Sequence, residues 1–417
     1  MNDKFLTPRS GSSVVSNILK EFGRPLSIAS APGRADFLNT HQDYKGLPVI
    51  PVAVNLRTYA VALKETNEFE VISLNMRREG RLSSDKFALK PELKGGGHFG
   101  DYLRACVLSL WNAGFKLEKG LRMVIDSDVP AGGGLGSSAA LEVAFLKLLD
   151  VHFGFGLSKK DLSELAFTAE NKIMGIPCGR LDQYGSSYGG AILLHTRPPY
   201  DVEELPLTGL RFVVADSGIK HRVAAIHPVR QAEIELGLSQ LLKMNVPQRL
   251  RSLLGEKYWE PRWEQLDLYE LEDYLKMIDV KAAARIRFTL LMHRSTLVAL
   301  RMIKGESVST RELEEAGVKP GVTQLENLGR VMNRQHELLR DLYEVSLPEL
   351  EKIRNHMLEA GAYGVKISGA GLGGCLIALV DELCESKVAE AALAAGAKRA
   401  WVVKVDQGAR EERGLVS

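Results

Sequence analysis

Two runs of apolar residues, one spaced as in a strand and one as in a helix, lie on either side of a short segment of the chain. Residues 121–125 form an alternating apolar run, which predicts a strand, and residues 139–149 repeat apolar positions at helical spacing, which predicts a helix. The segment between them, residues 129–138, is rich in glycine. Its small residues are Gly132, Gly133, Gly134, Gly136, Ser137 and Ser138, with Leu135 among them and Ala139 directly after. The pattern therefore predicts a glycine-rich loop that opens onto the start of a helix.

Such a loop has two interpretations. Glycine adopts positive φ and lets a ligand approach the backbone, while the first helical turn presents free amides and a positive dipole end, which together bind anions. Alternatively, the glycines only permit close packing of a strand against a helix. Ser137 and Ser138 stand where a hydroxyl can cap the helix, bind a phosphate oxygen or ligate a metal. No GxxxxGK[ST] run is present, so the loop is not a P-loop.

Elsewhere in the first half, short runs of β-branched and apolar residues predict strands. These strands are Leu26–Ala31, Val49–Val54, Thr58–Leu63 and Phe69–Leu74. Residues 31–46 are expected to form an irregular polar segment, and residues 85–97 a loop followed by a helix near Tyr102–Trp111. A capping box at Ser158–Asp161 predicts the start of a further helix.

The second half is predominantly helical by the same criteria. Residues 227–345 are predicted to be largely helical, and Ser346–Glu349 is interpreted as a second capping box. Strands are predicted at Tyr363–Ile367 and Cys375–Val380, joined by a second glycine-rich loop. A proline-containing polar stretch near residue 200 predicts a boundary between an N-terminal domain, residues 1–200, and a C-terminal domain, residues 201–417.

Composition excludes several classes of function. The 417 residues carry 54 basic and 52 acidic side chains, a net charge of +2, which gives no electrostatic basis for binding nucleic acid or a membrane surface. The four cysteines lie far apart without a CxxC pair, which argues against a disulfide framework or a cysteine zinc site. The start of the chain lacks an apolar leader, and no run of 18 apolar residues occurs, so we expect a cytoplasmic protein.

A few polar residues are candidates for chemistry. Arg34 is followed closely by Asp36, His41 and Asp43, a density that suits hydrogen bonding to a polyhydroxylated ligand, although each is also a common solvated turn residue. Asp182 suits a base or a turn cap, and Glu170 a metal ligand or a helix-surface carboxylate. These residues and the two glycine-rich loops favour a nucleotide-dependent α/β protein without fixing its reaction.

Several ordered motifs resemble those of one family. Ala31-Pro-Gly-Arg34 with His41-Gln-Asp-Tyr44 resembles the galactokinase signature, and residues 130–143 and 366–375 resemble the second and third motifs of the GHMP kinases (galactokinase, homoserine, mevalonate and phosphomevalonate kinases). Matches typical of the galactokinase branch occur at residues 175–183, 227–230, 329–333 and 339–346. The sequence is thereby identified as resembling the galactokinase family of the GHMP kinase superfamily over nearly its whole length.

The resemblance implies an α+β, two-domain GHMP kinase fold with the active site in the interdomain cleft. It implies transfer of the γ-phosphoryl group of ATP to the anomeric hydroxyl of a sugar, with Mg²⁺. Under this resemblance Asp182 accepts the proton and Arg34 pairs with it, while Ser138 and Glu170 hold the magnesium. The loop from Gly132 to Ala139 surrounds the phosphates, and the second glycine-rich loop, Gly369–Gly374, braces the site. The sugar contacts implied are Asp43, His41, Thr40, the backbone around Gly179, and His227.

The chain departs from the family pattern at the sugar. Thr40 replaces the glutamate that contacts the C6 hydroxyl, His227 replaces a sugar-contacting tyrosine, and Asp36 replaces an asparagine. Galactose is the default substrate. The alternatives are a C6-modified or C6-less analogue, such as a uronic acid, an N-acetylhexosamine or L-arabinose. A non-catalytic sugar sensor is a further alternative, although all four implied catalytic and metal-binding residues are present.

Overall fold

A computed structural model of the chain describes residues 5–6, 8–219 and 223–413. In chain order the strands are β1 (Phe5–Leu6), β2 (Ser27–Leu38), β3 (Ile50–Thr66), β4 (Phe69–Ser73), β5 (Ser84–Phe87), β6 (Gly120–Ser127), β7 (Ala191–Leu194), β8 (Val202–Leu205), β9 (Arg211–Asp216), β10 (Gly364–Ser368), β11 (Cys375–Val380), β12 (Arg399–Lys404) and β13 (Arg410–Glu411). The α-helices are α1 (Gly11–Phe22), α2 (Leu74–Arg78), α3 (Gly100–Asn112), α4 (Ser137–Phe153), α5 (Lys159–Phe167), α6 (Leu181–Tyr188), α7 (Val223–Lys243), α8 (Gln248–Leu253), α9 (Leu268–Leu275), α10 (Val280–Ile303), α11 (Thr310–Glu315), α12 (Gln324–Asp341), α13 (Pro348–Glu359) and α14 (Glu385–Ala395). Within these residues, no helix is both long enough and apolar enough to cross a membrane.

The described residues form two compact units that alternate along the sequence. The loop unit comprises residues 8–35, 51–192 and 403–413, and the helix-rich unit comprises residues 5–6, 36–50 and 193–402. The sequence predicts two domains that meet at residue 200, and this boundary stays a prediction.

The loop unit is built on a mixed sheet with the strand order β13-β2-β3-β6-β4-β5. Because side chains alternate along a strand, β3 serves two cores. Ala60 and Ala62 pack with residues of α3, α4 and α5, while Tyr59 and Val61 pack with Val14 and other residues of α1. The glycine-rich loop connects β6 to α4 and is held by this doubly covered sheet.

The helix-rich unit contains a five-stranded sheet with the order β1-β12-β9-β11-β10. One apolar core packs this sheet against residues of α10, α12, α13 and α14. A second core joins α7, α8, α9 and α10 around Trp263, and it includes Leu47 from the segment that follows β2. The early segment, residues 36–50, is therefore anchored among elements from the second half of the chain.

The glycine-loop strand and helix predicted from the sequence are confirmed as β6 and α4, and the two C-terminal strands as β10 and β11. The irregular segment expected from residue 31 is wrong in its first part, because β2 continues to Leu38. Arg34 and Asp36 lie on that strand and are almost fully buried, so they are not solvated turn residues.

Three further expectations from the pattern need correction. The two strands predicted between Val49 and Leu63 are the single strand β3, in which Arg57 is buried and donates to the Asp406 carboxylate at 2.8 Å. The loop expected at residues 85–97 begins inside β5. The capping box at Ser158 is confirmed, but the second one is wrong: α13 starts at Pro348 after Leu347, and the Ser346 hydroxyl donates instead to Glu351.

Candidate active site

The glycine-rich loop takes backbone conformations that suit glycine. Gly132, Gly134 and Gly136 have φ of 70°, 72° and 67°, in the left-handed region that other residues rarely adopt. Leu135 is fully buried, and its carbonyl accepts the Arg34 amide at 2.9 Å, which ties the loop to β2. Gly136 is the N-cap of α4, and among the described residues no side chain caps it. Neither serine therefore plays the capping role considered for it.

Arg34 and Asp182 form a hydrogen-bonded ion pair beside this loop. Arg34 Nε and Nη2 both donate to Asp182 Oδ1, at 2.9 and 2.5 Å, and Nη1 donates to the Gly134 carbonyl at 2.5 Å. Arg34 is buried, whereas the Asp182 side chain remains 29% exposed. Within the described residues no hydrogen bond reaches Asp182 Oδ2. The pair thus leaves one carboxylate oxygen available to accept a proton.

A second polar group lies where α4 begins. The Glu170 carboxyl accepts a hydrogen bond from Gln183 Nε2 at 2.7 Å, and the nearby Ser138 hydroxyl acts to lower its pKa. Glu170 sits on a π-helical turn, Thr168–Ile173, that follows α5. Burial, reinforced by the charge of Asp182, raises the pKa of Glu170 to about 7. The serine and the carboxylate that the resemblance pairs are therefore neighbours.

These two oxygen ligands fit a magnesium ion held through a nucleotide. Magnesium prefers oxygen ligands and usually keeps waters and substrate phosphates in its coordination sphere. The Ser138 hydroxyl is a suitable ligand, and a cation would favour ionisation of the buried Glu170 carboxyl, which burial disfavours. In the described part of the chain, no group of three or more His, Cys, Asp or Glu side chains is arranged to hold a metal by itself.

The segment after β2 brings Thr40 next to a buried lysine. Lys366 Nζ donates to Thr40 Oγ1 and to the Asp36 carbonyl, both at 2.6 Å, and neither Thr40 nor Lys366 is appreciably exposed. The Asp36 amide in turn donates to the Ser368 hydroxyl at 3.1 Å. The first motif of the sequence is thus bonded to β10, which leads into the second glycine-rich loop.

The hydrogen-bond partners of the His41 ring determine which of its two nitrogens carries the hydrogen. Its Nε2 lies 3.2 Å from the Ala370 carbonyl, which can only accept, so Nε2 carries the hydrogen. Nδ1 then accepts from the Tyr44 hydroxyl at 3.3 Å, and Tyr44 accepts from Tyr343 at 2.6 Å. Burial lowers the pKa of His41 well below its ordinary value, as do the neighbouring His227 and Lys45 charges, which agrees with a neutral ring.

The remaining residues implied by the resemblance have defined places. Asp43 begins a short 3-10 turn, Asp43–Lys45, and is half-buried. His227 lies on α7, half-buried, with its ring centroid 5.2 Å from that of His41. Gly179 lies in the loop unit between the π-helical turn and α6. The second glycine-rich loop is anchored by Leu372, whose amide donates to the Val345 carbonyl at 2.7 Å.

Two buried charged residues were not identified from the sequence. Glu142, one helical turn after Ser138, is fully buried, and burial together with Glu170 and Asp182 raises its pKa well above the ordinary range. Lys45 is also fully buried; its ammonium donates to Thr289 at 3.0 Å and lies 4.8 Å from the Phe288 ring centroid. The sequence indicates them in only one way: each is a charged residue within a motif whose other residues are mostly buried.

Comparison with known proteins first defines the class. The family described as GHMP kinases N terminal domain matches residues 101–190, GHMP kinases C terminal matches residues 318–399, and the Galactokinase galactose-binding signature matches residues 19–64. A crystal structure of Lactococcus lactis galactokinase complexed with galactose has a TM-score of 0.76 at 23% identity, covering 96% of this chain and 99% of that one. The Methanococcus jannaschii mevalonate kinase has a TM-score of 0.63 at 18% identity, covering 91% and 98%. The fold is that of the GHMP kinases.

Sequence relatives then define the family. A galactokinase of Clostridium perfringens is 30% identical over 382 residues, 89% of this chain and 90% of that protein. A galactokinase of Clostridium beijerinckii is 28% identical over 366 residues, 86% of each chain. The chain belongs to the galactokinase family. It is a sugar 1-kinase, in a family that uses ATP as the phosphoryl donor.

Proposed function

We propose that the protein transfers the γ-phosphoryl group of ATP to the anomeric hydroxyl of a galactose-configured sugar. The observation that carries the proposal is the Arg34–Asp182 pair beside the glycine-rich loop. Phosphoryl transfer depends mainly on positioning and on electrostatic stabilisation, and this pair supplies a proton acceptor and a cation together. The relatives described above are galactokinases, and this supports the same reaction.

In the proposed step, Asp182 Oδ2 accepts the proton of the C1 hydroxyl. The sugar oxygen forms a bond to the γ-phosphorus while the bond from that phosphorus to the β,γ-bridging oxygen breaks, and ADP leaves with the electron pair. Arg34 holds Asp182 through Oδ1, so the free oxygen keeps a fixed direction. The guanidinium also offsets negative charge that develops on the transferred group.

We further propose that residues Gly132 to Ala139 surround the phosphates and that Ser138 with Glu170 holds Mg²⁺. When bound, magnesium neutralises phosphate charge and orients the phosphoryl group. Asp43, Thr40, His227 and the Gly179 backbone are proposed sugar contacts. Both ring nitrogens of His41 are engaged within the protein, so we propose that it orients the neighbouring sugar contacts.

The test is turnover with a panel of sugars. Purified protein, ATP and MgCl₂ are incubated with galactose, galacturonic acid, L-arabinose and N-acetylhexosamines, and ADP release is followed. Phosphorus NMR of the product is expected to show the new phosphate on the anomeric carbon. Sustained ADP release over many turnovers supports the proposal, whereas sugar binding without any turnover would contradict it and leave the sugar-sensor alternative. We also propose a cytoplasmic location, where ATP is available and the four free cysteines stay reduced.

A further inference from the structure

Thr40 presents a hydroxyl donor in a buried setting. Its oxygen accepts the Lys366 ammonium at 2.6 Å, so the hydroxyl hydrogen must point in another direction. No acceptor for that hydrogen lies among the described residues. A donor that is 1% exposed and has no acceptor is costly unless a ligand supplies one. We therefore expect a ligand near Thr40 to offer a group that accepts a hydrogen bond from its hydroxyl.

The surroundings of Thr40 and His41 are rich in basic side chains. Lys366 contacts Thr40 directly, Lys45 lies beneath Tyr44, and the ring of His227 faces that of His41 at 5.2 Å. The charges of these three groups act together, since each of them lowers the pKa of His41. Burial lowers the pKa of Lys45 well below its ordinary value, and the charge of Asp43 acts in the opposite direction. Lys366 is the basic group that is bonded directly to Thr40.

We propose that the sugar carries a carboxylate at C6, that is, a uronic acid, and that the Thr40 hydroxyl and the charge of Lys366 recognise this group. The inference rests on the proposed sugar 1-kinase function and specifies its substrate class. A carboxylate only accepts hydrogen bonds and gains from a nearby cation, whereas a C6 hydroxyl must also donate. The family's glutamate at this position would repel a carboxylate, and Thr40 removes that charge.

Other acidic ligands fit less well. A phosphate at C6 carries about two charges at pH 7 and three strong acceptor oxygens, whereas Thr40 supplies a single hydroxyl donor. L-Arabinose lacks C6 and would leave the Thr40 donor without an acceptor, which disfavours it.

The first experiment compares kcat/KM for D-galacturonic acid, D-galactose, L-arabinose and D-galactose 6-phosphate at saturating ATP and Mg²⁺. We expect galacturonic acid to exceed each of the others by about ten-fold or more. Galactose and L-arabinose lose the charge-assisted hydrogen bond, and the phosphate brings three acceptor oxygens to a single hydroxyl donor. A value for galactose, arabinose or the 6-phosphate equal to or above that for galacturonic acid would overturn the inference.

A second experiment measures the ratio of kcat/KM for galacturonic acid to that for galactose in Thr40 variants. Thr40→Val keeps the shape but removes the donor, and the ratio is expected to fall by about ten-fold. Thr40→Ser keeps the hydroxyl and should preserve the ratio. Thr196→Val removes another hydroxyl of the same unit, bonded to the Leu47 carbonyl at 2.8 Å, and serves as a matched control with an unchanged ratio. An unchanged ratio in Thr40→Val would contradict the assignment.

Calorimetry separates this inference from the proposed function. Binding of galacturonic acid and galactose is measured without nucleotide, so that no turnover is needed. If no sugar yields ADP, the kinase function fails, yet tighter binding of galacturonic acid still supports the carboxylate subsite. If galactose is phosphorylated and binds more tightly than galacturonic acid, the kinase function stands and the subsite is wrong.

Discussion

At the scale of single residues, the two oxygens of Asp182 differ in their surroundings. Oδ1 accepts both hydrogen bonds from Arg34, while Oδ2 accepts none from the described residues and lies 3.4 Å from the position of a Cβ on Gly136. The arginine therefore fixes the orientation of the group without using its whole accepting capacity. This arrangement is what a general base requires, since a base must be positioned and still have a free lone pair.

The first prediction concerns this free oxygen. Asp182→Asn keeps the shape and an oxygen acceptor for Arg34 but removes the proton acceptor, so kcat should fall by about 10²–10⁴ while the fold is retained. The measurement is steady-state ADP release with the best sugar of the panel, together with a melting curve. Asp273→Asn is the control, because the Asp273 side chain is exposed on α9, and this variant should keep wild-type turnover. Wild-type kcat in Asp182→Asn would show that Asp182 only supports the turn.

A second prediction concerns Glu142. Because its pKa is raised, the folded protein keeps a proton there that the unfolded chain releases above an ordinary glutamate pKa of about 4.3. The folded state binds more protons, so this group lowers stability as the pH rises above that value. Glu142→Gln removes the effect and should raise Tm by ~1–3 °C at pH 8, with little change near pH 4.5. Equal Tm differences at both pH values, measured by circular dichroism, would show that Glu142 is not held protonated.

At the scale of elements, both ends of α4 carry a left-handed glycine with different neighbours. Gly136 precedes the helix, and a Cβ there would lie 3.4 Å from Arg34 Cγ and from Asp182 Oδ2. Gly154 follows the helix, and a Cβ there meets nothing within 4 Å. The backbone strain of an alanine is similar at the two sites, so only their surroundings distinguish them.

The third prediction uses this matched pair. Gly136→Ala and Gly154→Ala should each lose about 1 kcal/mol of unfolding free energy because alanine disfavours positive φ. Only Gly136→Ala should also lower kcat/KM for ATP, by about ten-fold or more, because strain at its positive φ shifts the loop beside the Arg34–Asp182 pair. Urea unfolding and initial-rate kinetics check both parts. Equal activity of the two variants would contradict a role of the loop in binding phosphates.

The same elements show what a sequence pattern can predict. The capping box at Ser158 and the helix α4 depend on residues close in sequence, and both were predicted correctly. The extension of β2 was missed because Arg34 and Asp36 look like loop residues until partners far along the chain bury them. Arg34 bonds a residue 148 positions away, a contact that no local spacing reveals. Only the resemblance to galactokinases paired these residues.

At the scale of the whole molecule, the family assignment rests on most of the chain and not on one motif. The match to the Clostridium perfringens galactokinase covers 89% of the chain, and the family regions reach from residue 19 to residue 399. Such coverage establishes the sugar 1-kinase class, whereas the proposed choice of sugar depends on a few residues around Thr40 that differ from the family pattern. Under this proposal, the fold and the substrate depend on different parts of the same sequence.

The last prediction separates the metal needed for catalysis from metals that stabilise a fold. In the described part of the chain, no set of three or more His, Cys, Asp or Glu side chains is arranged to bind a metal alone, and the proposed magnesium ligands are Ser138 and Glu170. An ion held by two protein oxygens depends on nucleotide phosphates for the rest of its coordination. EDTA should therefore abolish ADP release but leave the Tm of the nucleotide-free protein within about 1 °C, whereas a structural metal would contribute to folding free energy. Added MgCl₂ should restore turnover, with Ser138→Ala requiring a higher concentration than wild type. A marked fall in Tm on adding EDTA would place a metal in the fold itself and contradict a magnesium ion that enters with ATP.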